Sequence, residues 1–439
     1  MSGLVRVREI ANQDPKTQFT ALLHHVTVDV LRQCFYQLKR DSAAGVDGVD
    51  WRRYREGLED RITDLHSRIH TNRYRPRPSR RVYIPKSDGS QRPLSIQCLE
   101  DKLTQQALVQ VLNQVYEADF LGFSYGFRPG RGAHDALDAL SYSITHRKIN
   151  WVLDLDIRKF FDTVEHEWLM RMLAHRIHDK RVLALVKRWL KVGVIEDGKR
   201  HPSTVGTPQG AVISPLLANV YLHYVYDLWA HSWRTNHAKG DVVIVRYADD
   251  SVLGFQYVDD AQRFRRALAV RLGRFGLSLH PQKTQLLRFG QFATRDEQSR
   301  GASKPKTFDF LGFTHYCKFR RNGSFTVGRR TSRKRLQASI RSITLELRRR
   351  LHAPMHETAR WLTRVIRGHL NYFAVPGNSE CVGQFRYEVI RRWFKLLRRR
   401  SQRHRLTWAT FAQRANSWFP VVRTLHEYPQ KRFLVKHPR

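Results

Sequence analysis

The chain has 439 residues, 41% of them hydrophobic, and its 78 lysines and arginines against 39 aspartates and glutamates leave a formal net charge of +39. That apolar share is ample for folded cores, which excludes a disordered polycation, and the charge excess is far beyond what solubility requires, which implies a polyanionic partner. No run approaches the roughly 18 apolar residues of a membrane span, the N-terminus Met1-Ser2-Gly3-Leu4-Val5-Arg6 has no apolar signal core, and Cys34, Cys98, Cys317 and Cys381 are too scattered for a zinc ribbon or a disulfide framework. Cytoplasmic residence without membrane contact is the default expectation.

Residues 19–75 read as helical around the loop Ala44–Asp50 and end at Pro76 and Pro78. Arg81–Lys86 reads as a strand, Ser87–Ser90 as a turn and Gln91–Ile96 as the returning strand. Lys86 and Arg92 flank that turn, where they can reach phosphates if the hairpin folds over an active site; a solvated hairpin tip is the plain alternative. Residues 99–120 have amphipathic helical spacing. The glycine-rich loop Gly122–Gly132 that follows matches neither a P-loop nor a dinucleotide fingerprint, and Asp135 opens another helix.

Trp151-Val152-Leu153-Asp154-Leu155-Asp156 alternates, so Asp154 and Asp156 share one face of a strand and Trp151, Leu153 and Leu155 the other. Asp162 with Glu165 has the spacing of a capping box, predicting a helix that starts at Asp162. Ser214 as N-cap and Pro215 at the first helical position announce another, and Gln209 and Gly210 lie in the tight loop before it, where backbone can approach a substrate closely.

Tyr247-Ala248-Asp249-Asp250 is entered from Val242–Val245 and left through Val252–Phe255, which reads as a β-hairpin with two carboxylates at its tip. Asp-Asp is also a good turn dipeptide, and Asp259-Asp260 reads as another example. A second acidic strand upstream favours a different reading: adjacent anions between apolar strands are unfavourable unless cations sit there, and hard divalent ions take oxygen ligands. A two-metal phosphoryl-transfer site needs this convergence, with Asp156, Asp249 and Asp250 the minimal set and two Mg²⁺ ions expected.

From Arg320 onward the chain carries 29 lysines and arginines against 5 acids. Trp361, Trp393, Trp408 and Trp418 interleave with these charges. Ile340, Ile343, Leu347 and Leu351 have helical spacing around Arg348-Arg349-Arg350, as do Trp393, Leu396 and Leu397 beside Arg398-Arg399-Arg400, so basic helical faces along a nucleic-acid groove are expected. His352 and His356 have metal-ligand spacing, but Pro354 between them breaks the helix such a pair needs.

The order of these signatures resembles the reverse transcriptases encoded by group II introns, the intron maturases. The matching segments are Ile84-Pro85-Lys86 through Leu94, Phe123–Pro129, Asp156–Asp162, Thr207–Gly210 with Ser214–Asn219, Tyr247–Asp250, Gly276–Leu279 with Lys283-Thr284, and Phe308–Phe313. With the downstream helices they span roughly residues 35 to 430. The resemblance implies an α+β right-hand polymerase, fingers and an antiparallel palm sheet followed by a helical thumb/maturase domain. It implies a helical extension over residues 1–75, fingers and palm over 76–320, thumb/maturase helices over 321–400, and a basic segment over 401–439 that binds DNA.

By the same resemblance Asp156, Asp249, Asp250 and the backbone carbonyl of Ile157 hold the metal ions. Lys86 and Arg92 hold the triphosphate, Phe161 lies under the incoming sugar and excludes a 2′-hydroxyl, Gln209 and Gly210 adjoin the nascent pair, and Lys283 donates a proton to pyrophosphate. Leu311 and Gly312 form the primer grip. Arg128, Arg348, Arg349, Arg367, Arg398 and Arg399 are expected on RNA, and Gly368–Phe373 resembles the maturase signature. The implied partners are intron RNA, an RNA template with a DNA primer, target DNA and deoxynucleoside triphosphates, in a bacterial cytoplasm or nucleoid. Two departures stand out. Ser95 and Gln97 replace a glycine and a proline usual in the family, and the chain lacks the paired cysteines of an endonuclease domain, so no second-strand nicking is expected. A reverse transcriptase serving host repair or defence, and a splicing maturase without polymerase activity, are the other readings.

Overall fold

The computed structural model describes residues 3–85, 91–299, 305–400 and 406–436. The N-terminal helices Gly3–Gln13, Val28–Gln37, Trp51–Arg55 and Leu58–His70 pack their apolar faces against the long helix Leu99–Asp119, whose Leu103, Leu108, Val111, Leu112 and Val115 are fully buried. Two of the short helices start where a side chain takes up an unpaired backbone N–H: Thr27 accepts from Val30 and Asp50 from Arg53.

The strands are β1 (Ser79–Pro85), β2 (Gln91–Ile96), β3 (Trp151–Asp156), β4 (Val194–Glu196), β5 (Lys199–His201), β6 (Val242–Tyr247), β7 (Asp250–Phe255), β8 (Gln285–Arg288), β9 (Phe308–Phe310), β10 (Phe313–Phe319) and β11 (Phe325–Thr331). They form three sheets. One runs β2-β1-β4-β5, the central one β6-β7-β3-β8, and the third β11-β10-β9. Every pairing in the central sheet is antiparallel.

The central sheet positions the site because both of its faces are covered, unequally. Leu153, Leu155, Ile244 and Leu253 face the core shared with the N-terminal helices. Val152, Val243, Val245 and Val252 face a second core, built with helix Ala133–His146 and the C-terminal helices. Asp154 and Asp156 share the face of Val152 by strand alternation, so the second core covers the valine end of that face and leaves the acidic end open.

Beyond β11 the helices Arg333–Arg349, Met355–Phe373, Ser379–Leu397 and Trp408–Trp418 bury Leu336, Ile340, Ile343 and Leu347, then Leu362, Ile366 and Leu370, then Val389, Trp393 and Leu397. Residue 320 falls between β10 and β11, so the third sheet straddles the division expected there. Helix Met355–Phe373 begins after Pro354, which separates His352 from His356. A last helix, Pro429–Lys436, returns to Ala133–His146: Lys436 pairs with Asp135 at 2.7 Å, Arg432 with Asp138 at 3.0 Å, and Phe433 stacks on Tyr142. Among the described residues no helix is long and apolar enough to cross a membrane, and no two of the four cysteines form a disulfide.

Candidate active site

The register of β3 against β7 sets Asp156 opposite Asp250 and Asp154 opposite Val252. β6 and β7 close on Tyr247 opposite Asp250, leaving Ala248 and Asp249 as a two-residue turn. Ala248 takes a positive φ of 57°, the left-handed conformation that tight hairpins use and that costs an alanine more than a glycine. The carboxylates of Asp156, Asp249 and Asp250 are thereby delivered to one end of the sheet.

Their electrostatics are those of an under-compensated cluster. Burial, then the charges of Asp249 and Asp156, push Asp250 up to about 7. Burial, followed by Asp250, Asp156 and Asp309, does the same for Asp154. Asp249 is also raised by burial and by Asp156, with Arg92 and Arg246 pulling the other way. The Lys283 ammonium lies 2.5 Å from Asp156 Oδ2, and that bond raises its own pKa. Among the described residues no three acidic, histidine or cysteine side chains already close on a common point as metal ligands. The donor set nonetheless suits a hard divalent cation: it is oxygen-only, and the burial and mutual repulsion that raise these carboxyls are what a bound cation would offset. Next to it, His280 N–H donates to the Asp156 carbonyl and Arg158 N–H to the Ser278 carbonyl, so the Ile157–Leu279 bridge does not engage the Ile157 carbonyl.

Beneath the turn lies a buried cation that sequence reasoning missed. Arg246, 1% exposed, donates to both carboxylate oxygens of Asp227, to Asn219 Oδ1 at 3.0 Å, to Ser124 Oγ at 2.6 Å and to the Ala248 carbonyl at 2.9 Å. Asn219 in turn donates to the Gly126 carbonyl, Tyr125 N–H donates to the Arg246 carbonyl, and Arg246 N–H donates to the Phe123 carbonyl. An arginine inside Val-Val-Ile-Val-Arg-Tyr was the available signal, since a charge in a buried strand demands partners. Asp227 ends a π-helical turn, His223–Asp227, set between helices Ser214–Leu222 and Leu228–Asn236.

The Gly122–Gly132 loop braces this turn. Gly126 lies so close that a Cβ on it would meet the Ala248 nitrogen at 2.3 Å. Arg128, expected on RNA, is buried. It binds Glu117 through two nitrogens and the carbonyls of Leu121 and Ser124 at 2.9 and 2.8 Å, which takes up its guanidinium inside the protein. That expectation is corrected: Arg128 holds the loop together. Arg348, Arg349 and Arg367 are exposed on the C-terminal helices, Arg398 and Arg399 are exposed in the turn after helix Ser379–Leu397, and Arg398 rests over Phe394.

Phe161 sits in the short helix Phe160–Thr163, half-buried beside Phe160, and its carbonyl accepts from Thr207 N–H at 2.7 Å. Asp162 lies inside that helix, not at its start, and accepts from Gln209 Nε2 at 3.4 Å; the following helix, His166–Arg176, is preceded by Glu165 with no side-chain cap, so the capping-box expectation fails. The helix expected to start at Pro215 starts one position earlier, at Ser214, with Ile213 at the cap and Pro215 second. Gly210 has φ 101°, and a Cβ there would meet Leu94 Cδ1 and the Ser95 carbonyl at 2.8 Å. The Gln209 carbonyl accepts from Ser95 N–H, and Gln97 Oε1 from Val212 N–H, so Ser95 in β2 and Gln97 just after it are wired into the same loop. A cleft of about 440 Å³ opens here, lined by Arg81, Ser95, Phe161, Asp162, Glu196 and Gln209.

Arg92 is exposed on β2 opposite Ile84; Lys86 lies outside the described residues. Leu311 and Gly312, with φ 49° and 80°, form the turn from β9 to β10, and the Leu311 carbonyl accepts from Tyr372 Oη at 2.9 Å.

A family model described as reverse transcriptase (RNA-dependent DNA polymerase) matches residues 84–315, more than half of the chain. The chain belongs to the reverse transcriptase family. Its fold is that family's right-hand polymerase, with antiparallel palm strands and helices after them. Protein YkfC of Escherichia coli (strain K12) is 36% identical over 239 residues, 48% of this chain and 62% of that protein. The group II intron-encoded protein LtrA of Lactococcus lactis subsp. cremoris is 32% identical over 225 residues, 51% of this chain and 37% of LtrA. An uncharacterized 91 kDa protein in the cob intron of Schizosaccharomyces pombe is 40% identical over 146 residues, 33% of this chain and 18% of that protein. This reverse transcriptase chain thus spans less than two thirds of the length of each of these relatives.

Proposed function

We propose that the chain is an RNA-directed DNA polymerase of group II intron type, which copies intron RNA into cDNA and, as a maturase, binds that RNA to assist splicing and mobility. The observation that carries the polymerase reading is the β3–β7 register, with Asp156 opposite Asp250 and Asp249 in the adjoining turn. Mg²⁺ held by Asp156, Asp249, Asp250 and the Ile157 carbonyl would help deprotonate a primer 3′-hydroxyl and offset charge on the departing pyrophosphate.

The chain's own side chains supply the rest. Arg92, with Lys86, binds the triphosphate; Phe161 lies under the sugar and favours a deoxynucleotide; Gln209 and the bare Gly210 backbone orient the nascent pair. The Leu311-Gly312 turn steadies the primer. Lys283, kept protonated by Asp156, is the proton donor toward pyrophosphate. The maturase reading draws on the 29 cations against 5 acids from Arg320 onward, in a helical region that keeps Arg348, Arg349, Arg367 and, in the turn after Leu397, Arg398 and Arg399 at the surface. A-form RNA is held through phosphates and 2′-hydroxyls, which suits such faces.

The test is Asp249→Ala in primer extension with Mg²⁺ on an RNA template, alongside intron RNA binding and assisted splicing. Extension is expected to vanish while RNA binding and splicing assistance persist. Unimpaired extension would overturn the metal assignment, and equal loss of splicing assistance in a folded variant would overturn the separation of the two roles.

A further inference from the structure

Phe127 combines three properties that stability alone does not explain. Its φ is 60°, the left-handed region that a bulky side chain avoids. The residue is 52% exposed. It lies 6.4 Å from the ring of Tyr247, tilted by 45°, next to the turn that carries Asp249 and Asp250.

The backbone on both sides is held too firmly for this to be a loose loop. Gly126 is buried against Ala248 with its carbonyl bonded to Asn219, and Arg128 is locked to Glu117 and two loop carbonyls. Between these anchors the chain can only turn Phe127 outward. Backbone strain maintained by its surroundings is a mark of function, and here it points an aromatic face into the open end of the sheet.

We propose that Phe127 is a substrate-contacting residue. Its ring, continuous with that of Tyr247, is the apolar platform on which the terminal base pair of the primer–template rests, and it sets where the primer 3′ end lies relative to Asp249 and Asp250. The inference rests on the polymerase reading above. The occupant follows from the setting: a chain of net charge +39 attracts nucleic acid, Phe127 lies beside Tyr247 at the turn that carries Asp249 and Asp250, and an aromatic platform holds any base or sugar without reading sequence, which copying an arbitrary template requires.

The experiment compares Phe127→Gly, Phe127→Ala and Phe127→Tyr with the parent chain. A fluorescent RNA template annealed to a DNA primer is the probe, and affinity, its salt dependence, primer extension and the melting temperature are read. Phe127→Gly and Phe127→Ala are expected to bind the primer–template about tenfold more weakly and to extend it with a raised KM for the duplex. The slope of affinity against salt should not change, because no phosphate contact is lost. Phe127→Tyr should restore binding. The melting temperature of Phe127→Gly should hold or rise, since glycine accepts the left-handed backbone without strain. A lower melting temperature for Phe127→Gly with unchanged duplex affinity would make the ring a packing element and overturn the proposal, as would extension at the parental KM in both small variants. If the parent chain itself neither bound nor extended the duplex, the polymerase reading would fall first, and Asp249→Ala, expected to bind without extending, separates the two failures.

Discussion

Arg246 has the heaviest structural duty of any single side chain near the site. Its guanidinium and the carboxylate of Asp227 are 1% and 0% exposed, and the same group holds the Ala248 carbonyl. Removing one partner of a buried ion pair strands the other charge, so Arg246→Met is expected to lower stability by about 3–5 kcal/mol. Adding Asp227→Leu should return much of that loss in a denaturant titration. The double variant should still extend primers slowly, because the Ala248 carbonyl and the turn beneath Asp249 lose their anchor. Recovery of rate together with stability would show that the network only supports folding. The three aspartates were legible in the sequence because strand alternation and an apolar hairpin need no long-range knowledge. Arg128 and Arg246 were not legible in role, although both stand in readable segments. Whether an arginine faces solvent or a buried carboxylate depends on Glu117 and Asp227, whose proximity only the folded chain creates.

At the scale of elements, the hairpin β6–β7 and the loop before Arg128 work as one unit, since Gly126 abuts the Ala248 nitrogen. A methyl group there has nowhere to go except into backbone. Gly126→Ala is therefore expected to cost roughly 1–3 kcal/mol through overpacking and to slow primer extension more than Gly122→Ala, a position with open space around it. Thermal melts and extension rates of the two variants check this; equal behaviour would show that the loop yields. Most elements were readable, among them β3, the β1–β2 hairpin and the helices from Arg333 on, because periodicity and caps are local signals. The exceptions share a cause. Asp162 and Glu165 look like a capping box, yet the backbone bonds of Thr207 to Phe161 and Gly206 to Val164 pull the chain into a separate short helix. The strand β4 joins β1 in parallel across more than a hundred residues of chain, a pairing that no local pattern announces.

Across the whole molecule, burial has placed histidines where they stay neutral in quite separate regions. Desolvation pulls His134 and His315 down to about 3, and His223 and His369 to about 4, on helix Ala133–His146, β10, the π-helical turn and helix Met355–Phe373. His134 also faces His426, Arg432 and Arg329, at the point where the last helix clasps the body of the protein from nearly three hundred residues away in sequence. A histidine depressed in the folded state contributes stability that is fully present above its unfolded pKa near 6.5. That contribution is lost as pH falls, because the unfolded chain takes up the proton first. Asp101 and Asp119, pushed up to about 6 by burial, have the opposite sign: their contribution is full below the ordinary carboxylate value and lost as pH rises through 6. The two sets oppose each other between about pH 4 and 6, so the stability of the parent chain is a poor readout of either, and a difference between variants is needed. His315 stacks on Phe308 with centroids 4.8 Å apart and planes 6° from parallel, and it is fully enclosed, so phenylalanine can take its place in the stack. His315→Phe is expected to gain stability relative to the parent by about 1.4 kcal/mol for each pH unit below about 6.5, levelling off near pH 3. Denaturant titrations of both chains at pH 7, 6, 5 and 4 measure that difference. A difference that stays constant with pH would mean that His315 is protonated inside the folded chain, with Arg329 no obstacle to its charge.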